Sequence, residues 1–218
     1  MATTIQSGRA NSPLLTADVA SRAEVFGGRG LVFDGVTDQL EIADSNNLDL
    51  TNFTLSAWIK LTDVSDYRGI ISKRSGTDVN YSFFVKQSEG KLGSYDGSAE
   101  INSSATVNDG NWHYVVQVHN SGTTTFYIDG SASGSGSQSF STNSHAVLIG
   151  EAGVNQNDKF LGSISDVKIY SSALSESDIR SQYLKPESVP SPSTLVAFYP
   201  MCEANPESPQ SIVYDYSE

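Results

Sequence analysis

Residues 108–130 read NDGNWHYVVQVHNSGTTTFYIDG, which sets Trp112 beside His113 and holds two of the chain's three histidines. An imidazole can ligate zinc or act as a base, but either role needs further groups converging on it. The chain offers one cysteine, Cys202, and therefore no CxxC pair and no internal disulfide. No G-x-S-x-G, P-loop, H-E-x-x-H or EF-hand pattern occurs. His113 and His119 are therefore read as surface or hydrogen-bonded residues of a scaffold, and Cys202 as a small buried hydrophobe. The residue types left for binding are aromatic. Trp58, Tyr67, Tyr81 and Tyr95 pair an apolar face with a polar tip, the combination that stacks on sugars, although core or edge packing is the more ordinary role for each of them taken alone.

The elements that must carry these residues are strands. From Gly30 onward the hydrophobic period is two. FTLSAWIK sets Phe53, Leu55, Ala57 and Ile59 on one face, against Thr54, Ser56, Trp58 and Lys60 on the other. GIISK, YSFFVK, KLGSY, WHYVVQVH, TTFYIDG, AVLIG and FLGSISDVKIY follow, with Gly, Asn, Asp and Ser clusters between them. Many short strands with regular turn signals predict an all-β sandwich or barrel. In the hairpin, Trp112, Tyr114, Val116 and Val118 are expected on one face, with Phe126 and Ile128 beside them. Residues 131–144 read as a loop or weak edge strand. One helix interrupts the pattern: Ser175 is a fitting N-cap with Asp178 three residues on, Leu174 and Ile179 form a staple, and Pro186 ends the segment.

Net charge is −12, from 25 acidic against 13 basic residues. That opposes nucleic acid, where affinity rests on Lys and Arg neutralising phosphates, and it opposes anionic membrane surfaces. No apolar run approaches the roughly 20 residues of a membrane span, and the first residues do not read as a secretory signal.

The ordered set FDGVTDQLEI, FTLSAWIK, GIISK, DGNWHYVVQV, FYIDG, VLIG and FLGSISDVKIYSSALSESDI resembles the LamG-like jelly roll of the concanavalin A-like lectin/glucanase superfamily. The resemblance implies an antiparallel two-sheet jelly-roll sandwich over residues 30–185, with one concave face and one short C-terminal helix. Residues 1–29 are expected as a non-globular N-terminal arm and 186–194 as a Pro/Ser linker. Residues 195–218 are expected as the start of a second module or a complementing strand. Acidic residues in positions similar to Asp34, Asp38 and Asp166 are frequent in the family. With its first and last strands adjacent, the resemblance implies that Asp34 and Asp166 approach each other as ligands of a structural calcium ion. The alternative is that Asp34 stabilises the tight Asp-Gly turn and Asp166 caps an edge.

The family's glucanases carry same-face carboxylates as E-x-D-x-E or E-x-D-x-x-E, and no such triplet occurs here. The expectation is a non-catalytic module that adheres to surface glycans. The lead-in to FDG is similar to tailed-bacteriophage structural proteins. This implies a homo-oligomeric virion protein, a capsid decoration or tail-fibre component docked through its arm to capsid or tail proteins. Two readings stand beside it: an extracellular carbohydrate-binding module of a larger secreted bacterial enzyme, or a purely structural cementing protein.

Overall fold

A computed structural model describes residues 4–7, 30–153, 158–201, 212–215 and 217. The strands are β1 (Thr4–Ser7), β2 (Leu31–Asp34), β3 (Leu40–Ile42), β4 (Phe53–Lys60) and β5 (Arg68–Ser75). Next come β6 (Asp78–Val85), β7 (Lys91–Tyr95), β8 (Glu100–Thr106), β9 (His113–Asn120) and β10 (Thr123–Ile128). Then follow β11 (Ser131–Ser137), β12 (Val147–Ile149), β13 (Leu161–Tyr170), helix α1 (Glu176–Leu184), β14 (Leu195–Tyr199) and β15 (Ile212–Asp215).

Two antiparallel sheets face each other. One has the order β11-β10-β9-β4-β13-β14, and the other has the order β3-β12-β5-β6-β7-β8. The predicted all-β sandwich is the observed architecture. The ten residues of β13 pair with β4 along one side and are shared on the other. β2 takes Leu161 to Ile164, and β14 takes Val167 to Tyr170. β1 pairs with β15 in parallel, Thr4 opposite Ile212. Residues 8–29 and Cys202 lie outside the described residues.

Alternation decides the core. Phe53, Leu55, Ala57 and Ile59 point between the sheets with Ile71, Tyr81, Phe83 and Phe126. On the opposite face of β4, Thr54 and Ser56 are also wholly buried and Trp58 is 2% exposed. Helix α1 covers that face. Its Ile179 and Tyr183 pack with Trp58, Tyr114, Val116, Tyr170 and Leu174 as a second core. The helix starts as predicted: the Ser175 hydroxyl accepts from the Asp178 backbone and the Asp178 carboxylate accepts from the Ser175 N–H.

The β9–β10 hairpin corrects one expectation. Ser121 and Gly122 both take positive φ, and the two-residue turn sets Phe126 opposite Gln117 and Tyr127 opposite Val116. Phe126 therefore shares the inner face with Val115, while Tyr127 joins Tyr114 and Val116 under the helix. Ile128 likewise packs against the inter-sheet core. The Gly/Ser-rich stretch after the hairpin is edge strand β11.

Candidate ligand site on the uncovered sheet face

Helix α1 closes the outer face of one sheet, and the other sheet keeps an outer face of its own. YSFFV, read by parity, sends Phe83 inward and Phe84 outward. The Phe84 ring lies flat across β7 because residue 93 is glycine; a Cβ there would stand 2.2 Å from the ring. At Gly69 a Cβ would meet the backbone nitrogen of Ala152 at 1.9 Å, so this glycine lets the 150–152 segment cross over β5. Together they shape a pocket of about 350 Å³ lined by Tyr67, Arg74, Phe84, Tyr95, Glu100 and Asp158, with Gly76, Thr77 and Ala152 at its rim. That volume lies within the roughly 300–1,000 Å³ of small-ligand sites.

The side chains of the pocket brace one another. Tyr67 meets Phe84 edge-on, with ring centroids 5.3 Å apart. The Arg74 guanidinium lies over the Tyr95 ring at 5.1 Å, a cation–π contact that holds a planar donor group at the wall. The Tyr67 hydroxyl donates to Glu100 at 3.1 Å, and Lys86 pairs with the other Glu100 oxygen at 3.1 Å. Tyr95 donates to the Gly97 carbonyl at 2.7 Å. Burial pushes the Asp158 carboxyl up to about 6, with Asp66 and Glu151 adding to the rise and Arg74 and Arg68 opposing it. Burial also lowers the Arg74 guanidinium from its usual value. The pocket thus offers apolar ring faces, a guanidinium donor and carboxylate acceptors at one place, the set that a polyhydroxylated ring needs. A second groove, between β9–β10 and the start of α1, contains one aromatic ring, Tyr127.

Of the four aromatic candidates, the structure brings Tyr67 and Tyr95 together in this pocket and leaves the other two inside cores. Trp58 stacks on Tyr183 at 5.9 Å beneath the helix, and Tyr81 sits 5.6 Å from Phe53 between the sheets. Neither can reach a ligand. Sequence reasoning missed Arg74, Phe84, Glu100 and Asp158; the outward Phe of the FF pair was the available signal.

The acidic trio is not one site. Asp34 stands opposite Leu161, five residues from Asp166 along β13 and on the order of 16 Å away at about 3.3 Å per residue. This corrects the expected approach of Asp34 to Asp166. Asp34 organises the turn that follows it. Its carboxylate accepts from the backbones of Val36, Thr37 and Asp38 at 2.8–3.0 Å and from the Thr37 hydroxyl, and Asp38 accepts from the Asp34 N–H. Those donors, led by Thr37, hold the Asp34 carboxyl far below the usual range. Asp166 is wholly buried, with Lys168 bound to both its oxygens at 2.7 Å. Among the described residues no three His, Cys, Asp or Glu side chains converge as metal ligands, and no helix is long and apolar enough to cross a membrane.

His113 bonds Asp129 at 2.8 Å and Asp109 at 3.1 Å, one through each ring nitrogen. His119 is buried against Phe53 and Phe140 and bonds the Thr124 hydroxyl. Both are structural.

Several known proteins share this architecture. A candidate carbohydrate-binding protein of Bacteroides ovatus superposes with a TM-score of 0.68 at 16% identity, over 86% of this chain and 56% of that one. Domain 4 of an extracellular GH43 arabinanase from Geobacillus stearothermophilus, solved with arabinotriose, gives 0.55 at 19% identity, over 69% and 74%. In sequence, the chain is 28% identical over 140 residues to the rat (Rattus norvegicus) sushi, von Willebrand factor type A, EGF and pentraxin domain-containing protein 1. That match spans 59% of this chain and only 4% of the relative. None of these is a virion protein. A laminin G-type model described as concanavalin A-like lectin/glucanases superfamily matches residues 34–180, more than half of the chain. The chain belongs to the concanavalin A-like lectin/glucanases superfamily.

Proposed function

We propose that this protein is a non-catalytic carbohydrate-binding module whose ligand site is the Tyr67–Arg74–Phe84–Tyr95 pocket. The observation that carries the reading is the meeting of the Tyr67 and Tyr95 rings, set over the buried Phe84, with a guanidinium and two carboxylates on the sheet face without a helix. The arabinotriose-bound arabinanase domain supports the same class of ligand for the same fold. Arg74 offsets one of the two pocket carboxylates, and Lys86 pairs with the other, Glu100. The ligand that fits this near-balanced charge is a neutral oligosaccharide, which gives hydroxyls to Asp158 and Glu100 and accepts from Arg74. Adhesion to surface glycans is the role proposed for this site. Attachment to a phage particle rests on the lead-in sequence alone, and that sequence lies outside the described residues.

A glycan array followed by calorimetry tests the reading. Binding of a neutral oligosaccharide that Tyr95→Ala and Arg74→Ala each weaken supports it. No binding across neutral and charged glycans, or binding that neither substitution changes, overturns it.

A further inference from the structure

Behind the pocket, the inter-sheet core contains a polar node. Gln117 of β9 points inward, opposite Leu55 of β4 on one side and Phe126 of β10 on the other, both of them core residues. Gln117 and Ser94 of β7 are wholly buried, and Gln138, the residue after β11, is 4% exposed. Alternation along β7 turns Ser94 into the sandwich while Gly93 and Tyr95 face the pocket side. The Gln117 amide nitrogen donates to the Ser94 hydroxyl at 2.9 Å, and the Gln138 amide nitrogen donates to the Ser94 carbonyl at 3.0 Å. One serine thus gathers side chains from β9 and from the end of β11.

Each amide is then left with its oxygen. The Oε1 atoms of Gln117 and Gln138 are both buried, and neither has a hydrogen-bond partner among the described residues. Two acceptors cannot satisfy each other, and a buried acceptor without a donor costs free energy. Turning the amides over does not remove the problem. The Gln138 nitrogen faces two carbonyls, of Ser94 at 3.0 Å and of Ala99 at 3.4 Å, and a carbonyl only accepts. Reversing Gln117 would exchange an unmatched oxygen for an unmatched nitrogen, because the Ser94 hydroxyl donates as readily as it accepts. That hydroxyl also has a proton of its own to give.

We infer that Ser94, Gln117 and Gln138 enclose one buried water molecule. It donates to both glutamine oxygens and accepts from the Ser94 hydroxyl, roughly the three bonds usual for an internal water. A metal cation would also suit two amide oxygens, but here it would be a buried charge without a counter-ion. Asp96, two residues along the chain, is already taken by the backbone N–H groups of Ser98, Ala99 and Ser139. The water joins β9 to the segment that grips the turn between Tyr95 and Glu100, through Gln138 on Ala99 and Ser139 on Asp96. It therefore backs the pocket wall from inside. The water does not depend on the glycan reading, because none of its three residues lines the pocket.

Water-selective NMR on the full chain with labelled glutamine side chains tests it. The expected result is cross-relaxation between water and the side-chain amide protons of Gln117 and Gln138, with the sign of a residence time longer than molecular tumbling. Gln117→Met/Gln138→Met keeps the side-chain lengths and removes both acceptors. Oxygen-17 relaxation dispersion should count one long-lived water fewer in this double variant than in the wild type. Missing cross-peaks in the wild type would overturn the inference whether or not the variant folds, and so would equal water counts in the two proteins. A melting temperature that shifts on exchanging sodium for potassium or choline in the wild type alone would put a cation in place of the water.

Discussion

Lys168 and Asp166 form an ion pair that is closed to water: Nζ stands 2.7 Å from each carboxylate oxygen, and both side chains are about 1% exposed. They sit at a bulge in β13, where Ser165 pairs with Trp58 and Lys168 with Ser56, so β13 carries one residue more than β4. Asp166 takes a φ of +51° there. The third bond of Lys168 goes to the Pro186 carbonyl at 2.9 Å, so the pair also holds the exit of the helix. Burial pushes the Asp166 carboxyl up, and the Lys168 ammonium on both its oxygens opposes the rise by favouring the ionised form. Removing one partner strands a buried charge, whereas removing both does not. Lys168→Met should therefore destabilise the protein by about 3–5 kcal/mol in urea unfolding. The double variant Asp166→Asn/Lys168→Met should recover a large part of that loss. A double variant as unstable as the sum of the singles would show that the two residues act separately.

Aromatic substitutions should sort by layer. Tyr67→Ala or Tyr95→Ala should weaken oligosaccharide binding about tenfold, ~1.4 kcal/mol, with little change in melting temperature. Trp58→Ala should cost about 3–5 kcal/mol of stability, because it opens a cavity under the helix. The Tyr81 hydroxyl is buried with no hydrogen-bond partner among the described residues, so Tyr81→Phe should be neutral or stabilising. Calorimetry and thermal melts on the same four proteins make the comparison.

Stability should respond to pH through His113. Its hydrogen bonds to Asp129 and Asp109 raise its pKa above 6.5, against the opposing effect of burial. A raised value means that the contribution is fully present below pH 6.5 and is lost as pH rises through the folded value. Burial lowers the His119 pKa, which gives the opposite trend. Subtracting the melting curves of His113→Gln from those of the wild type isolates the first effect. The difference should shrink steadily from pH 6 to pH 8; a flat difference would remove His113 from the pH response.

Asp158 gives the binding site its own pH dependence. With the carboxyl raised to about 6, it is charged at pH 7.5 and largely protonated at pH 5. Affinity for a neutral oligosaccharide should fall several-fold across that interval, and Asp158→Asn should hold it at the low-pH level throughout. A raised carboxyl is also what a glycosidase acid needs. No new reducing ends should nonetheless form on prolonged incubation with laminarin, agar or alginate oligosaccharides. Turnover abolished by Asp158→Asn would make the protein an enzyme.

The turn after β2 separates two roles for Asp34. If it works by accepting the backbone N–H groups of residues 36–38, Asp34→Ala should lower the melting temperature equally in calcium and in chelator. A loss that appears only in calcium would restore a cation to this carboxylate.

Local pattern was enough to write down the strands, the capped helix at Ser175 and the sandwich, because period-two alternation and side-chain caps are interactions between near neighbours. The order of the strand sequences carried the family. What lay beyond reach was which molecule-scale surface each residue would meet. Trp58 and Tyr67 read alike as single aromatics; one is buried because a helix more than a hundred residues later packs across its face. Phe126 changed sides because a two-residue turn sets the parity of everything after it. Asp34 and Asp166 lie on paired strands, but the register between them separates the two carboxylates by five residues. The pocket itself joins β5, β6, β7 and β8 with Ala152 and Asp158, so no window of sequence contains it. Neighbour interactions determined the elements; the register of the sheets and the layer stacked on each face decided which side chains became core and which became a site.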